Sequence, residues 1–255
     1  MLSAPLLRSC RRPIGNQPST AASLTPLFGE RGTKGFWRSA IDTLSVLTIA
    51  LSLRCIPQLH GAARKTLEDA HRTLEIEMNS CCDNPILWPE PGNEAEISAC
   101  NADSAYVGIT MDSACLAATM LAKMSERRNN RLIDENLSGY PWFLIQNPGL
   151  NSGVMIPQYT QAGLLNQMRI LCTSSVIDNT PTCGNQEDYV AMGYNAALKS
   201  IAVVEKLEYI LAIELLSVYE AQPFVDASLQ RSPASRKVLE TVGREVPKLE
   251  ENFYL

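Results

Sequence analysis

From about Leu51 onward, apolar residues recur every three or four positions, and the interruptions are short polar stretches punctuated by proline, glycine and asparagine. That period lays apolar side chains along one stripe of a helix. Pro57 opens a segment to Asn79 in which Leu59, Ala63, Leu67, Leu74 and Met78 share a stripe. Lys65/Asp69 and Glu68/Arg72 stand at i,i+4 on its outer face. Asp83-Asn84-Pro85 and Pro89-Glu90-Pro91-Gly92 predict an irregular excursion. The next helix, roughly Ala105 to Arg128, is apolar almost all round, with Asp112 the only charge before Lys123, which predicts a central, buried element. Ser125-Glu126-Arg127-Arg128-Asn129-Asn130-Arg131 reads as its solvated end, with basic residues suited to the C-terminal dipole.

A further helix starts near Met155 with Pro157 in its first turn, and carries Tyr159, Leu164, Leu165, Met168 and Leu171. The longest run goes from Asp188 to about Gln222 and stops at Pro223; as a helix it would be on the order of 50 Å long. Such a helix needs partners along its length, from the same chain or another subunit. Ser232-Pro233 cap a last helix through about Glu245, broken by Pro247. No segment shows sustained period-two alternation bounded by hairpin turns. The predicted fold class is all-α, a bundle of long, roughly antiparallel helices.

Composition changes the picture little beyond Leu51 and more before it. The 255 residues are 45% hydrophobic and 19% charged, ordinary for a soluble globular protein. A net charge of −5, no long basic run and sparse aromatics argue against a nucleic-acid partner. From Met1 to Ala40 there are six basic residues and one acid, with many Ser, Thr, Pro and Gly. That composition suits a mitochondrial transit peptide. Pro13, Pro18 and Pro26 interrupt an amphipathic helix, however, and favour a disordered tail on a cytoplasmic chain. Residues 1–50 are therefore read as a segment apart from a helical domain over 51–255. The apolar stretch Leu44–Leu53 is too short to span a bilayer, so no membrane is expected. The eight cysteines form no Cys-x-x-Cys pair, and with only His60 and His71 no zinc spacing can be assembled; reduced thiols and no metal are expected. Cys81-Cys82 with His60 or His71 would be the only material for a Cys–His hydrolase.

Candidate chemistry concentrates in two loops, each placed before a long helix. Asn147-Pro148-Gly149-Leu150-Asn151-Ser152-Gly153 could let backbone approach a ligand, with Asn151 supplying an amide. It is also what an ordinary turn-rich connection looks like. In Asn185-Gln186-Glu187-Asp188, Asn185 suits an N-cap with Asp188 three residues on, and acids favour a helix N-terminus. The functional alternative is that the Glu187 carboxylate handles a proton or grips an ammonium group. Arg54 is an isolated cation among apolar residues; its fork would pair with an internal acid or a ligand carboxylate.

Taken in order, several strings resemble the aromatic amino acid ammonia-lyase and aminomutase family, the group that includes histidine ammonia-lyase. They are Ser52-Leu53-Arg54-Cys55 with Pro57-Gln58, Glu75-Ile76-Glu77-Met78-Asn79 with Asp83-Asn84-Pro85, and Ser125-Glu126-Arg127-Arg128. Asn147–Gly153 and Pro181-Thr182 with Asn185-Gln186-Glu187-Asp188 complete the series. The resemblance implies a fumarase/aspartase-type helical bundle and removal or 2,3-migration of the α-amine of histidine, tyrosine or phenylalanine. It implies that Arg54 holds the substrate carboxylate and that Glu187 sits near the amine or the electrophile. Asn185, Gln186 and Asn101 would line the pocket, with Asn151 on the other loop. Glu187 is more similar to histidine and tyrosine lyases than to plant phenylalanine lyases. Sites in this family are built from several subunits of a tetramer, so a homo-oligomer, or a hetero-oligomer with a full-length paralogue, is expected.

The departures are specific. The family's electrophile, a methylidene-imidazolone, is made from an Ala-Ser-Gly tripeptide, and none occurs in this chain. Upstream of Ser52, where the family commonly reads Gln-Asp-x-Tyr, stands Thr48-Ile49-Ala50-Leu51, and Ala102 follows Asn101 in place of an aromatic; the resemblance begins at about Leu51, so residues 1–50 are expected to be non-family sequence. The expectation is a chain inactive alone, completed by a partner, or else a non-catalytic helical protein that modulates a paralogue or a truncated gene product.

Overall fold

The all-round apolar run after Asp103 predicts a fully buried helix; it packs one face against its neighbours and leaves Tyr106, Ile109, Leu116 and Met120 exposed on the other. The computed structural model describes residues 50–88, 90–92, 95–97 and 101–251. Its helices are α1 (Leu51–Arg54), α2 (Ile56–Met78), α3 (Ala105–Ile133), α4 (Glu135–Ser138), α5 (Met155–Leu171), α6 (Gly193–Glu220) and α7 (Pro233–Glu245). One antiparallel pair, β1 (Ile86–Trp88) with β2 (Ala95–Ile97), is the only sheet among the described residues. The fold is all-α, as predicted. The chain divides into two compact units, residues 1–61 with 225–248 and residues 62–224 with 249–255. The expectations for residues 1–49, and for the thiols Cys10 and Cys100, lie outside the described residues.

In the first unit, α7 starts as its sequence predicts. Pro233 occupies the first turn, and the Ser232 hydroxyl accepts from the Ser235 amide at 3.1 Å.

The second unit is organised by α3, α5 and α6. Ser104 meets Gly193, Asp112 pairs with Lys199, and Ser125 and Arg128 reach Glu214. The partners advance together, so α3 and α6 run parallel. Thr119 meets Cys172, Asn129 meets Gln161 and Asn130 meets Gln158, so α5 runs antiparallel to both. One cluster of buried residues, Cys115, Ala118, Ala122, Leu165, Met168, Val203 and Ile210, joins all three. A second, Ile133, Leu144, Val154 and Ala221, closes the end at which α3 and α6 finish and α5 begins.

Four local expectations are corrected. α6 begins at Gly193 rather than Asp188, after Met192 in the left-handed region (φ 47°). The cap signals upstream are used elsewhere. Asn185 sits at φ 69° inside a short 3-10 turn, and the Asn179 side chain donates to the Asp188 carbonyl at 2.8 Å and accepts from the Val190 amide at 2.9 Å. The segment Ser125–Arg131 is not a solvated end, because α3 continues to Ile133 and Ser125, Glu126 and Asn129 are buried. Ser125 and Arg128 donate to Glu214 on α6 at 2.6 and 2.7 Å, the Asn129 amide donates to Gln161, which donates to the Ile210 carbonyl, and Glu126 pairs with Arg127 on its own helix. The excursion after Asn79 contains the β1–β2 pair, too short for an alternation to register. Finally, the stripe on α2 is partly open, with Leu67 and Met78 exposed and Ala63 and Ala70 buried.

The lone charges of two apolar helices meet each other. Asp112 is the only charged residue in the first half of α3, and Lys199 the only one in the first three turns of α6. They form a largely buried ion pair, and Asp112 also accepts from the Ser174 hydroxyl at 2.6 Å and the Ser175 amide at 2.8 Å. Burial acts to raise the Asp112 pKa, but Lys199 and these donors together outweigh it and hold the carboxyl below its ordinary value.

Candidate active site

The segment Thr173–Met192 leaves the end of α5 and returns to the start of α6. Within it the backbone folds on itself: the Thr182 amide donates to the Glu187 carbonyl at 2.9 Å, and the Glu187 amide donates back at 3.4 Å. Cys183, Gly184 and Asn185 are consecutive left-handed residues at φ 49°, 62° and 69°. Two of these are not glycine, so the turn holds backbone strain of a kind that persists only where neighbouring bonds fix it. The Thr182 hydroxyl donates to Glu187 Oε2. That anchors one carboxylate oxygen and leaves Oε1 open, on a loop whose residues 181–189 are all exposed. Asn185, Gln186 and Glu187 therefore present two amides and a carboxylate outward from one turn.

Asn101 belongs to the same end of the bundle, just before α3, and its side-chain amide donates to the Cys81 carbonyl. Asn151 belongs to the other end. Its amide donates to the Gln146 carbonyl at 3.0 Å, and Gly149 and Gly153 take φ of 99° and 48°. At Gly153 a Cβ would lie 2.3 Å from the Phe143 carbonyl oxygen, so only glycine fits. Val154, which follows, packs with Ile133 and Ala221 at the C-terminal ends of α3 and α6. The 28 residues of α6 extend about 42 Å. Within one chain, then, the loops bearing Asn151 and Glu187 are rooted at opposite ends of the bundle.

Arg54 lies in the first unit. Its Nε is buried with no hydrogen-bond partner among the described residues, an uncompensated donor that an anionic ligand would satisfy. A thiol hydrolase finds no support: His71 pairs with Glu75 at 3.3 Å, while Cys81 and Cys82 are exposed. In the sequence the Asp112–Lys199 pair is signalled only by two solitary, opposite charges on separate apolar helices.

These elements define a protein of the parallel–antiparallel helical-bundle class, with polar, glycine-bearing loops at both ends. The sequence pattern of the family described as aromatic amino acid lyase matches residues 11–244, and the chain belongs to that family. It is 42% identical to histidine ammonia-lyase of Treponema denticola, over 82% of this chain and 40% of that one. It is 39% identical to the Caenorhabditis elegans histidine ammonia-lyase, over 81% of this chain and 30% of that one. Among solved structures, Trypanosoma cruzi histidine ammonia-lyase superposes with a TM-score of 0.82 at 31% identity, covering 98% of this chain and 45% of that one. Tyrosine aminomutase from Streptomyces globisporus gives 0.82 at 30%, covering 95% and 48%. The chain thus spans less than half the length of the relatives it matches.

Proposed function

We propose that this chain supplies binding and proton-handling groups to an ammonia-lyase or 2,3-aminomutase site for an aromatic amino acid, and does so as part of an oligomer. The observation that carries this reading is the opposite-end placement of the loops bearing Asn151 and Glu187. A pocket using both needs more than one chain. A second copy laid antiparallel along the bundle would bring its Asn147–Gly153 loop to the end where Asn185–Glu187 stand, and two-fold symmetry would repeat the arrangement. The face of α6 turned away from the core supports this, because Tyr194, Leu198, Ile201 and Tyr209 are exposed along it.

In such a site Arg54 would take the substrate carboxylate through its fork, and Glu187, oriented by Thr182, would accept from the ammonium group. Asn101, Asn185 and Gln186 would line the pocket. The family's electrophile does not fit the residues of this chain, because the sequence contains no Ala-Ser-Gly. The proposal is therefore of a chain inactive alone and completed by a partner that carries the tripeptide. The missing tripeptide also favours a second reading, a non-catalytic chain that associates with a paralogue and modulates it.

The test incubates the purified chain, alone and with a full-length family member, with histidine, tyrosine or phenylalanine, following the ultraviolet absorbance of the arylacrylate. Product only when the mixture contains this chain together with an Arg- or Glu-site-deficient partner supports complementation. Association that changes a partner's rate without complementing it supports modulation. Product from the chain alone overturns the reading. Ile201→Asp should lower the mass found by analytical ultracentrifugation, and an unchanged mass removes α6 from the interface.

A further inference from the structure

The segment that carries Asn185–Glu187 is attached to the bundle through one narrow stripe of α3. Ser104, Gly108 and Asp112 are spaced by four, so they lie on one face of the helix and its N-cap. Ser104 stands at the N-cap of α3 but makes no side-chain bond to its own helix. Its hydroxyl instead accepts from the Gly193 amide at 3.1 Å, where the segment ends. Gly193 has no room for a side chain, since a Cβ there would lie within 2.7 Å of three Ser104 atoms. Gly108 touches both roots at once: a Cβ would meet Val176 Cγ1 at 2.4 Å and the Ala191 carbonyl oxygen at 3.2 Å. Asp112 holds the outgoing root through Ser174, Ser175 and, at 3.4 Å, the Val176 amide. Lys199 pairs with Asp112 and donates to the Thr173 carbonyl at 2.6 Å.

Among the described residues, hydrogen bonds of positions 177–189 stay within the segment, chiefly through Asn179 to Asp188 and Val190 and through Thr182 to Glu187. Nothing else on α3, α5 or α6 holds the loop by a hydrogen bond. We propose that Ser104, Gly108 and Asp112, with Lys199, are positioning residues that clamp both roots of Thr173–Met192 and thereby fix where Asn185, Gln186 and Glu187 stand. The proposal deepens the reading under which Glu187 faces substrate. It gives a physical reason for a buried ion pair far from the strained turn: Asp112 and Lys199 tie the turn's base to two different helices.

The test is amide hydrogen exchange on the full chain, comparing wild type with Lys199→Met, Lys199→Arg and Ser104→Ala. The bonded amides of Thr182, Asn185, Gln186 and Val190 should exchange about tenfold faster in Lys199→Met, while amides in the middle of α3 and α6 keep their protection. Ser104→Ala should act in the same direction at Val190, and Lys199→Arg should restore wild-type exchange. Val203→Ala, a core change away from the roots, serves as control and should loosen the helices without singling out the loop. Unchanged loop exchange, or equal acceleration along the helices, overturns the clamp. Calorimetric titration of the chain, together with a full-length family member deficient in its own Arg and Glu sites, with L-histidine separates this from the functional reading. If no variant binds, the site reading fails while exchange still decides the clamp. If wild type binds, Lys199→Met should bind about tenfold more weakly and Lys199→Arg normally; selective loop exchange with unaltered affinity would overturn the positioning role.

Discussion

Removing Arg128 while leaving Glu214 should damage this protein more than removing the charges of both. Arg128 on α3 donates to Glu214 on α6 through Nε and Nη2, and the Ser125 hydroxyl donates to the same carboxylate at 2.6 Å. Both ionic side chains are more than four-fifths buried. Deleting one partner of a fully buried pair costs about 3–5 kcal/mol, mainly because the survivor remains charged without its partner. Here residual solvent access and the Ser125 bond soften the loss, so Arg128→Met should cost about 2–3 kcal/mol. The pair is itself imperfect, since Arg128 Nη1 is buried without a partner. Arg128→Met combined with Glu214→Gln keeps an acceptor for Ser125 and leaves no charge, and should cost only about 1 kcal/mol. For a chain of this size these values correspond to a melting-temperature drop of roughly 5–10 °C for the single change and 2–4 °C for the double. Circular dichroism melts at one fixed protein concentration measure both. A single variant melting with wild type would mean that Arg128 is solvated after all. A double variant as unstable as the single would mean that packing, not the orphaned charge, sets the penalty.

Other expectations concern separate sites. Asp112 has a depressed pKa, so its contribution is complete above the ordinary value of 3.8 and is lost as pH falls through the lower folded value; the melting difference between wild type and Lys199→Met should hold from about pH 5 to 7 and shrink below about pH 4. A gap that does not narrow at all on acidification below 3.8 would show that charge is not its source. Gly153→Ala puts a Cβ against the Phe143 carbonyl at a positive φ and should destabilise by about 2 kcal/mol or more, read as a lower melting temperature; an unchanged melt would refute the close approach. The exposed Cys183 should react readily with an aromatic disulfide at pH 8. Cys115, buried and with its thiol pushed up to about 11 by desolvation, should react only on unfolding, as site-resolved mass spectrometry would report.

The bundle was legible where one physical demand dominates. An apolar run with a solitary charge predicts α3 as a long helix with a packed face, though not its exposed face of Tyr106, Ile109, Leu116 and Met120; Pro157 and Ser232-Pro233 mark helix starts because a missing N–H and a hydroxyl acceptor act locally. Legibility failed where polar residues answer to distant partners. Ser125–Arg131 has the composition of a solvated end, and distant partners make its burial tolerable: Glu214, 86 residues beyond Arg128, and Gln161 on α5. Asn185 and Asp188 carry cap chemistry, but the Asn179 side chain and the left-handed turn take them first, and α6 waits for a glycine that can lie against Ser104. The candidate loops were visible as loops. Their rooting at opposite ends was not, because helix direction within the bundle is set by pairings that no local string contains.

The seam between α3 and α6 explains why those ends stay apart. The buried face of α6 repeats every seven residues as Ala196, Val203, Ile210 and Ser217, while α3 offers Cys115, Ala118, Ala122, Ser125 and Asn129 in alternating steps of three and four. A repeat of seven keeps two parallel helices in register over many turns, and the small side chains let their backbones approach closely. Sliding the helices by one turn would carry Ser104 away from Gly193, Asp112 away from Lys199 and Arg128 away from Glu214 together. Each pairing alone is modest, but all three lie along one seam and share one register. The shift that breaks one breaks all, so the distance between the Asn147–Gly153 and Thr182–Asp188 loops is set by the helices rather than by the loops themselves. A pocket drawing on both loops would, on the proposed reading, take one of them from another chain, since a local loop movement does not span the length of α6, about 42 Å.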